Sequence, residues 1–313
     1  MIRWAIRGGE GLVRRSGARA QLFAAGVLFG LMAALTRLCN TGGFSAGQVA
    51  TVRFAAGVLL TLGLFVHRPG TFAPVKHWLL ATRGALGGLA AFLYFVSLSR
   101  IPAGEATLLN NTFPVFATIL SFFTLGERPT LHLALALSVT TGGVFLVLGG
   151  GTAGFGLGWG EAAGIASALL GAGAVTSIRA LRATDNAPTI FFAFCLGGLA
   201  VSWPFSFGPW PTDPLLWILA VAGVGVSSFL AQLLMTHAYG ALTVPEAAVW
   251  QQLTPVASYL WALALLDERV TGLGAVGVLL GAGGVAYGSV LGHRAVPAGG
   301  PPSAPGQPPV RPA

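Results

Sequence analysis

The sequence predicts an all-α integral membrane protein with ten transmembrane helices in two inverted five-helix repeats. Three observations carry that prediction: the composition, the spacing of the apolar runs, and an internal echo at one fixed offset. Charged residues fill 8% of the 313 positions and hydrophobic residues 54%, whereas about a quarter of an average soluble domain is charged. So few charges cannot cover a water-facing surface, and lipid is therefore the solvent of most of the chain. The echo joins residues 94–149 to 233–288. At an offset of 141, Glu105 falls on Glu246, Pro114 on Pro255, Glu127 on Glu268, Arg128 on Arg269 and Gly142–Gly143 on Gly283–Gly284.

The chain opens with a basic tail, 1–20, holding Arg3, Arg7, Arg14, Arg15 and Arg19, the pattern of a cytoplasmic segment under the positive-inside rule. The run AAGVLFGLMAAL that follows looks like the core of a secretory signal. Nine further apolar runs succeed it, so it is read as an uncleaved first span. A bilayer core takes about 20 helical residues. Runs of that length fall near 21–38, 48–66, 79–99, 104–125 and 131–149, which form the first repeat, 21–149. Those of the second repeat, 150–291, fall near 160–178, 188–206, 215–236, 244–265 and 272–291. The remaining tail, 292–313, carries seven of the 19 prolines and little apolar bulk, so it is expected to be disordered and cytoplasmic.

Ten spans with an inside start require an inside finish. Cytoplasmic segments then hold the five tail arginines with Arg68, Lys76, Arg83, Arg128, Arg179, Arg182, Arg294 and Arg311, which is 13 of the 17 basic residues. The outer ends hold Arg37, Arg100 and Arg269, and Arg53 lies inside span 2. This asymmetry places both termini in the cytoplasm and the protein in the inner membrane. Five spans per repeat is an odd number, so the second copy enters the bilayer from the opposite face. Alternating access around a site between the copies follows from such an arrangement.

Ionisable and amide groups inside a bilayer face a cavity or a partner by default. Glu105 and Glu246 begin the equivalent spans 4 and 9, where a carboxylate suits the positive end of the helix dipole. A structural role and direct binding of substrate or proton both fit them. One turn deeper, Asn110 and Asn111 match Gln251 and Gln252, four amides available to a substrate or a neighbouring helix. Helical spacing puts Trp250 on the face of Glu246, as an apolar wall for a ligand or as core. Tyr94 on span 3 and Gln232 on span 8 complete the candidate binding residues. Pro114 and Pro255 sit at matching mid-span positions, and each removes a backbone hydrogen bond, so both are candidate hinges. Arg53 either snorkels outward or pairs internally, and the Glu-Arg pairs at 127–128 and 268–269 are read as ion pairs at the membrane boundary.

Several motifs carry no chemistry in this context. GLGAVG at 272–277 has the dinucleotide spacing but no preceding strand. GFSAG at 43–47 has the nucleophile-elbow pattern around Ser45, yet His237 and His293 belong to the other side of the membrane. Cys39 and Cys195 show no metal or redox spacing. GxxxG spacings at Gly26–Gly30, Gly160–Gly164 and Gly277–Gly281 are read as helix packing within the monomer. The net charge of +8 comes without a basic patch interleaved with aromatics, which argues against nucleic acid. No cofactor, metal or catalytic set is expected, and hence no enzyme.

The repeated order of a proline in an apolar helix, a Glu-Arg pair and a span ending in Gly-Gly closely resembles the drug/metabolite transporter superfamily. It resembles in particular the ten-span EamA-type members, over about 21–291. Arg53-Phe54 adds to the likeness. The resemblance implies a ten-helix inverted-repeat fold, a central cavity and ATP-independent transport of small metabolites. The first span lacks the acidic residue on which the related four-span multidrug transporters depend, which argues against a copied cation/proton antiport.

The expected function is therefore secondary export of amino acids or related compounds, with a small molecule and the bilayer as partners. A proton is the candidate coupling ion, and the state is monomer or homodimer. The alternatives are import of a vitamin or nucleoside-type metabolite, such as riboflavin or S-adenosylmethionine, and a non-transporting membrane scaffold.

Overall fold

The computed structural model describes residues 2–100, 109–147, 158–265 and 272–291, and every regular element among them is helical. In chain order these are α1 (Ile2–Thr41), α2 (Ala46–His67), α3 (His77–Arg100), α4 (Phe113–Leu125), α5 (Leu131–Val147) and α6 (Trp159–Leu181). They continue with α7 (Ala187–Ser202), α8 (Pro214–Ala238), α9 (Val244–Gln251), α10 (Leu253–Leu265) and α11 (Gly272–Leu291). Six described stretches are long and apolar enough to cross a bilayer: Arg15–Thr41, Ala46–His67, His77–Arg100, Trp159–Leu181, Ala187–Phe205 and Pro214–Ala238. Large apolar side chains such as Phe123, Trp159 and Leu279 are more than 70% exposed, as lipid-facing residues must be.

Local chemistry sets the helix ends. The Ser45 hydroxyl accepts the Gln48 N–H at 3.2 Å, and the Gln48 side-chain oxygen accepts the Ser45 N–H at 2.9 Å. That reciprocal pair is a capping box, so Ser45 starts α2 and is no nucleophile. Gly126, at φ 68°, ends α4 in the left-handed conformation that only glycine adopts without strain. Within α8 the stretch Leu219–Val226 is π-helical.

The two predicted mid-membrane prolines do more than kink their helices. A turn at Asn111–Thr112 directly precedes α4, and a turn at Gln252 separates α9 from α10. Each proline lies in the first helical turn that follows, where its missing N–H is tolerated.

Helix pairings come in matched sets. α3 packs on α6 and α7, and α8 packs on α1 and α2. α4 packs on α6, as α10 packs on α1, while α2 meets α7, α4 meets α9 and α5 meets α11. Apart from α4 with α9, this set is unchanged when each helix is replaced by its equivalent 141 positions away. Glycine permits the tightest crossings. A Cβ at Gly30 would lie 2.6 Å from the Ser258 nitrogen on α10, and one at Gly88 would lie 2.5 Å from the Gly198 nitrogen on α7. Lipid offers no hydrophobic drive, so such backbone contact holds the bundle together. Gly26, Gly164 and Gly281 likewise face helices of the same chain.

Candidate functional site

A cavity of about 150 Å³ lies where α1, α2, α3, α6, α7 and α8 surround these two turns. Its apolar wall includes Phe29, Met32, Phe113, Val175, Phe194 and Met235, and its polar lining is Arg53, Arg83, Tyr94, Asn110, Asn111, Ser167, Gln232, Gln251, Thr254 and Ser258. Both halves contribute, often through equivalent positions. At the 141-residue offset, Ala33 and Ala174, Arg53 and Phe194, Ala91 and Gln232, Tyr94 and Met235, Asn110 and Gln251, and Phe113 and Thr254 all line it.

The turns bring the amides into this space. A proline has no N–H for the carbonyl four residues back, and those carbonyls belong to Asn110 for Pro114 and to Gln251 for Pro255. Asn110 and Gln251 are therefore lining residues whose backbone oxygens have lost their usual helical donor. The Asn110 side-chain amide donates to the Ser167 hydroxyl at 2.7 Å, and that hydroxyl donates to the Ala90 carbonyl at 2.8 Å. The Gln251 side chain lies within hydrogen-bonding reach of the Tyr239 hydroxyl.

Arg53 and Arg83 bring two formal charges to the cavity lining. Arg53 and Arg83 are 5% and 3% exposed. Arg53 donates from Nε to the Ser228 hydroxyl at 2.6 Å, and Arg83 donates to the Gln232 side-chain oxygen at 3.4 Å. The guanidinium carbons of Arg53 and Arg83 lie 5.8 and 4.2 Å from the Phe194 ring centroid, so both cations gather around one aromatic ring. Arg53 thus stays inside and pairs with a hydroxyl and rings rather than snorkelling. Arg83 corrects the charge-based reading, which put it among the cytoplasmic basic residues: it lies seven residues into α3 with its side chain in the cavity. Its signal was an arginine within an apolar run, outweighed by its nearness to the run's basic end.

Of the other predicted binding residues, Tyr94, Asn110, Asn111, Gln232 and Gln251 meet in the cavity. Gln252 points elsewhere, with its amide donating to the Thr141 hydroxyl at 3.2 Å, and Trp250 packs where the two hydrophobic clusters join. Glu246 lies at the start of α9 in an ion pair with Arg19, 2.9 Å apart. Glu105 lies outside the described residues, as do Glu268 and Arg269. The Glu-Arg pair at 127–128 does not bond to itself. Glu127 takes Arg179 Nε at 2.8 Å and, through its other oxygen, the Val244 N–H at 2.7 Å, while Arg128 lies over the Phe122 ring. Among the described residues no group of His, Cys, Asp or Glu is arranged to hold a metal.

Among the described residues, an apolar helix bundle encloses a small, largely apolar cavity that carries a few polar groups, as small-molecule sites of membrane transporters do. The model of the EamA-like transporter family matches this chain twice, over residues 20–149 and 158–289, and the chain belongs to that family. It is 27% identical over 243 residues to the pseudopaline exporter CntI of Pseudomonas aeruginosa strain UCBPP-PA14, covering 77% of this chain and 84% of that one. It is 26% identical over 234 residues to an uncharacterized transporter of Helicobacter pylori strain J99, covering 70% and 76% of the two chains. A solved crystal structure shares the fold with a TM-score of 0.76 at 23% identity, over 89% of this chain and 98% of that one. The protein is a multi-pass membrane transporter, with the lipid bilayer and a small-molecule substrate as its partners.

Proposed function

We propose that the protein exports amino acids or related small metabolites across the inner membrane by alternating access, without ATP. The cavity lined by equivalent positions of both halves carries this reading, because a site on the pseudo-symmetry axis can be opened by rocking either half. The exchange-symmetric helix pairings support two five-span repeats, 21–149 and 150–291, inserted with opposite orientation. On this reading α4, α9 with α10, α5 and α11 belong to spans 4, 9, 5 and 10, which brings the count to ten. Tails 1–20 and 292–313 then lie in the cytoplasm.

The likeness to a named exporter supports the outward direction. The ion pairs Arg19–Glu246 and Arg179–Glu127 both fall at the end of the bundle assigned to the cytoplasm. Together they tie α1 to α9, and α6 to the segment after α4, where a cytoplasmic gate has to part. A proton is the candidate coupling ion for a zwitterionic cargo, and one chain holds a whole cavity, as a functional monomer requires.

Purified protein in liposomes tests the proposal. Vesicles preloaded with labelled amino acids should release them faster than protein-free vesicles, under at least one of a pH gradient or a membrane potential. Absence of flux for every amino acid under both gradients would refute it.

A further inference from the structure

The geometry points to a substrate with at least one carboxylate and net negative charge, recognised jointly by Arg53 and Arg83; this rests on the transporter reading above and names its substrate class. Two guanidinium groups share the cavity, and no Asp or Glu is among its described lining residues. Neither arginine has a carboxylate partner among the described residues. A buried cation without a counter-ion is costly, and two around one ring also repel each other. A protein that retains both gains most when a ligand supplies the missing negative charge.

An unsatisfied group has the matching polarity. Arg83 lines the cavity, and its buried Nε has no acceptor. It is a donor, and a carboxylate supplies acceptor oxygens in pairs. Arginine presents its donors as a planar fork that fits a carboxylate through two parallel hydrogen bonds. Arg53 has used only Nε on Ser228, which leaves its terminal nitrogens for this contact.

The charge is also asymmetric in a telling way. At the 141-residue offset Arg53 is replaced by Phe194 and Arg83 by Val224. The symmetric scaffold therefore accounts for the cavity but not for its charge, which the first half alone supplies. An anionic cargo also suits export, since an inside-negative membrane potential pushes negative charge outward.

The purified full-length protein can be heated with matched probes: glutarate, L-glutamate and citrate as carboxylates, and L-glutamine, L-lysine and putrescine as neutral or cationic counterparts. The carboxylates should raise Tm by about 2–4 °C at roughly tenfold their Kd. Arg53→Gln and Arg83→Gln should each abolish the shift, Arg83→Lys should keep part of it, and Arg68→Gln, on an exposed loop, should keep all of it. Arg83→Lys retains the buried charge and serves if Arg83→Gln fails to elute as a single species. The inference is overturned if no carboxylate shifts Tm, if the counterparts shift it equally, or if the shift survives both arginine-to-glutamine changes.

Flux separates this inference from the reading beneath it. Under an inside-negative potassium diffusion potential, labelled L-glutamate should leave proteoliposomes faster than at zero potential. Vesicles that move glutamine or lysine but none of the net-anionic probes would sink the anion site and leave the transporter standing. An arginine-dependent Tm shift without flux under any gradient would do the reverse.

Discussion

Asn111 and Gln252 stand 141 positions apart, and each occupies a turn between helical segments. The prolines three residues later, Pro114 and Pro255, forbid the hydrogen bond that would span each turn. Replacing either by alanine restores a donor worth about 1 kcal/mol. Each such change should lower flux by up to roughly fivefold, and the double variant should slow it more than either single one. Flux in proteoliposomes at matched protein content reads this directly. Unchanged flux in the double variant would remove the prolines from the mechanism.

The candidate amides divide by location, and their substitution should divide by effect. Gln251→Ala alters the cavity lining and should lower flux while leaving Tm within about 2 °C of wild type, whereas Asn110→Ala should lower flux and also lose the bond to Ser167, about 1 kcal/mol. Gln252 is fully buried and donates to Thr141, so Gln252→Ala should cost about 2 kcal/mol in stability. Thermal unfolding and flux measured on the same preparations distinguish the two groups.

Glu127 bridges Arg179 and the N–H of Val244 through its two oxygens. Glu127→Gln and Arg179→Gln should each lower Tm by about 2–4 °C. The double variant should lose less than the sum, because one interaction is shared. Arg128→Gln, beside them in sequence but lying over Phe122, should change Tm by less than about 1 °C.

Helix crossing at Gly30 leaves no room for a side chain, since a Cβ there would lie 2.7 Å from the Ala257 carbonyl carbon. Gly30→Leu should force α1 off α10 and abolish a monodisperse product. Gly17→Ala meets nothing within 4 Å and should raise Tm slightly, because alanine is the better helix former. Size-exclusion profiles and unfolding curves check both.

Composition and the offset of Glu105 to Glu246 made the helical membrane class, the two halves and the pairing of Pro114 with Pro255 legible in sequence. Those features depend on local hydropathy and on repetition, which a chain displays openly. The amides Asn110 and Gln251 were legible for the same reason. Arg83 was not, because its depth depends on where the bilayer boundary falls along α3. Nor was the partner of Glu127, since Arg179 is 52 residues away and only tertiary packing joins them. Trp250 and Gln252 share a helix turn with cavity residues, and periodicity alone does not tell which side of a broken helix faces inward.

Alternating access through the cavity is tested most directly by labelling one residue inside it from both sides of the membrane. Cys39 and Cys195 are buried and free, so alanine at both gives a background in which Ala91→Cys places one thiol on the cavity wall. A membrane-impermeant maleimide should modify this thiol from the outside in right-side-out vesicles and from the cytoplasmic face in inverted ones, with a transported solute changing both rates. Labelling from one face only, whatever the solute and gradient, would contradict the account.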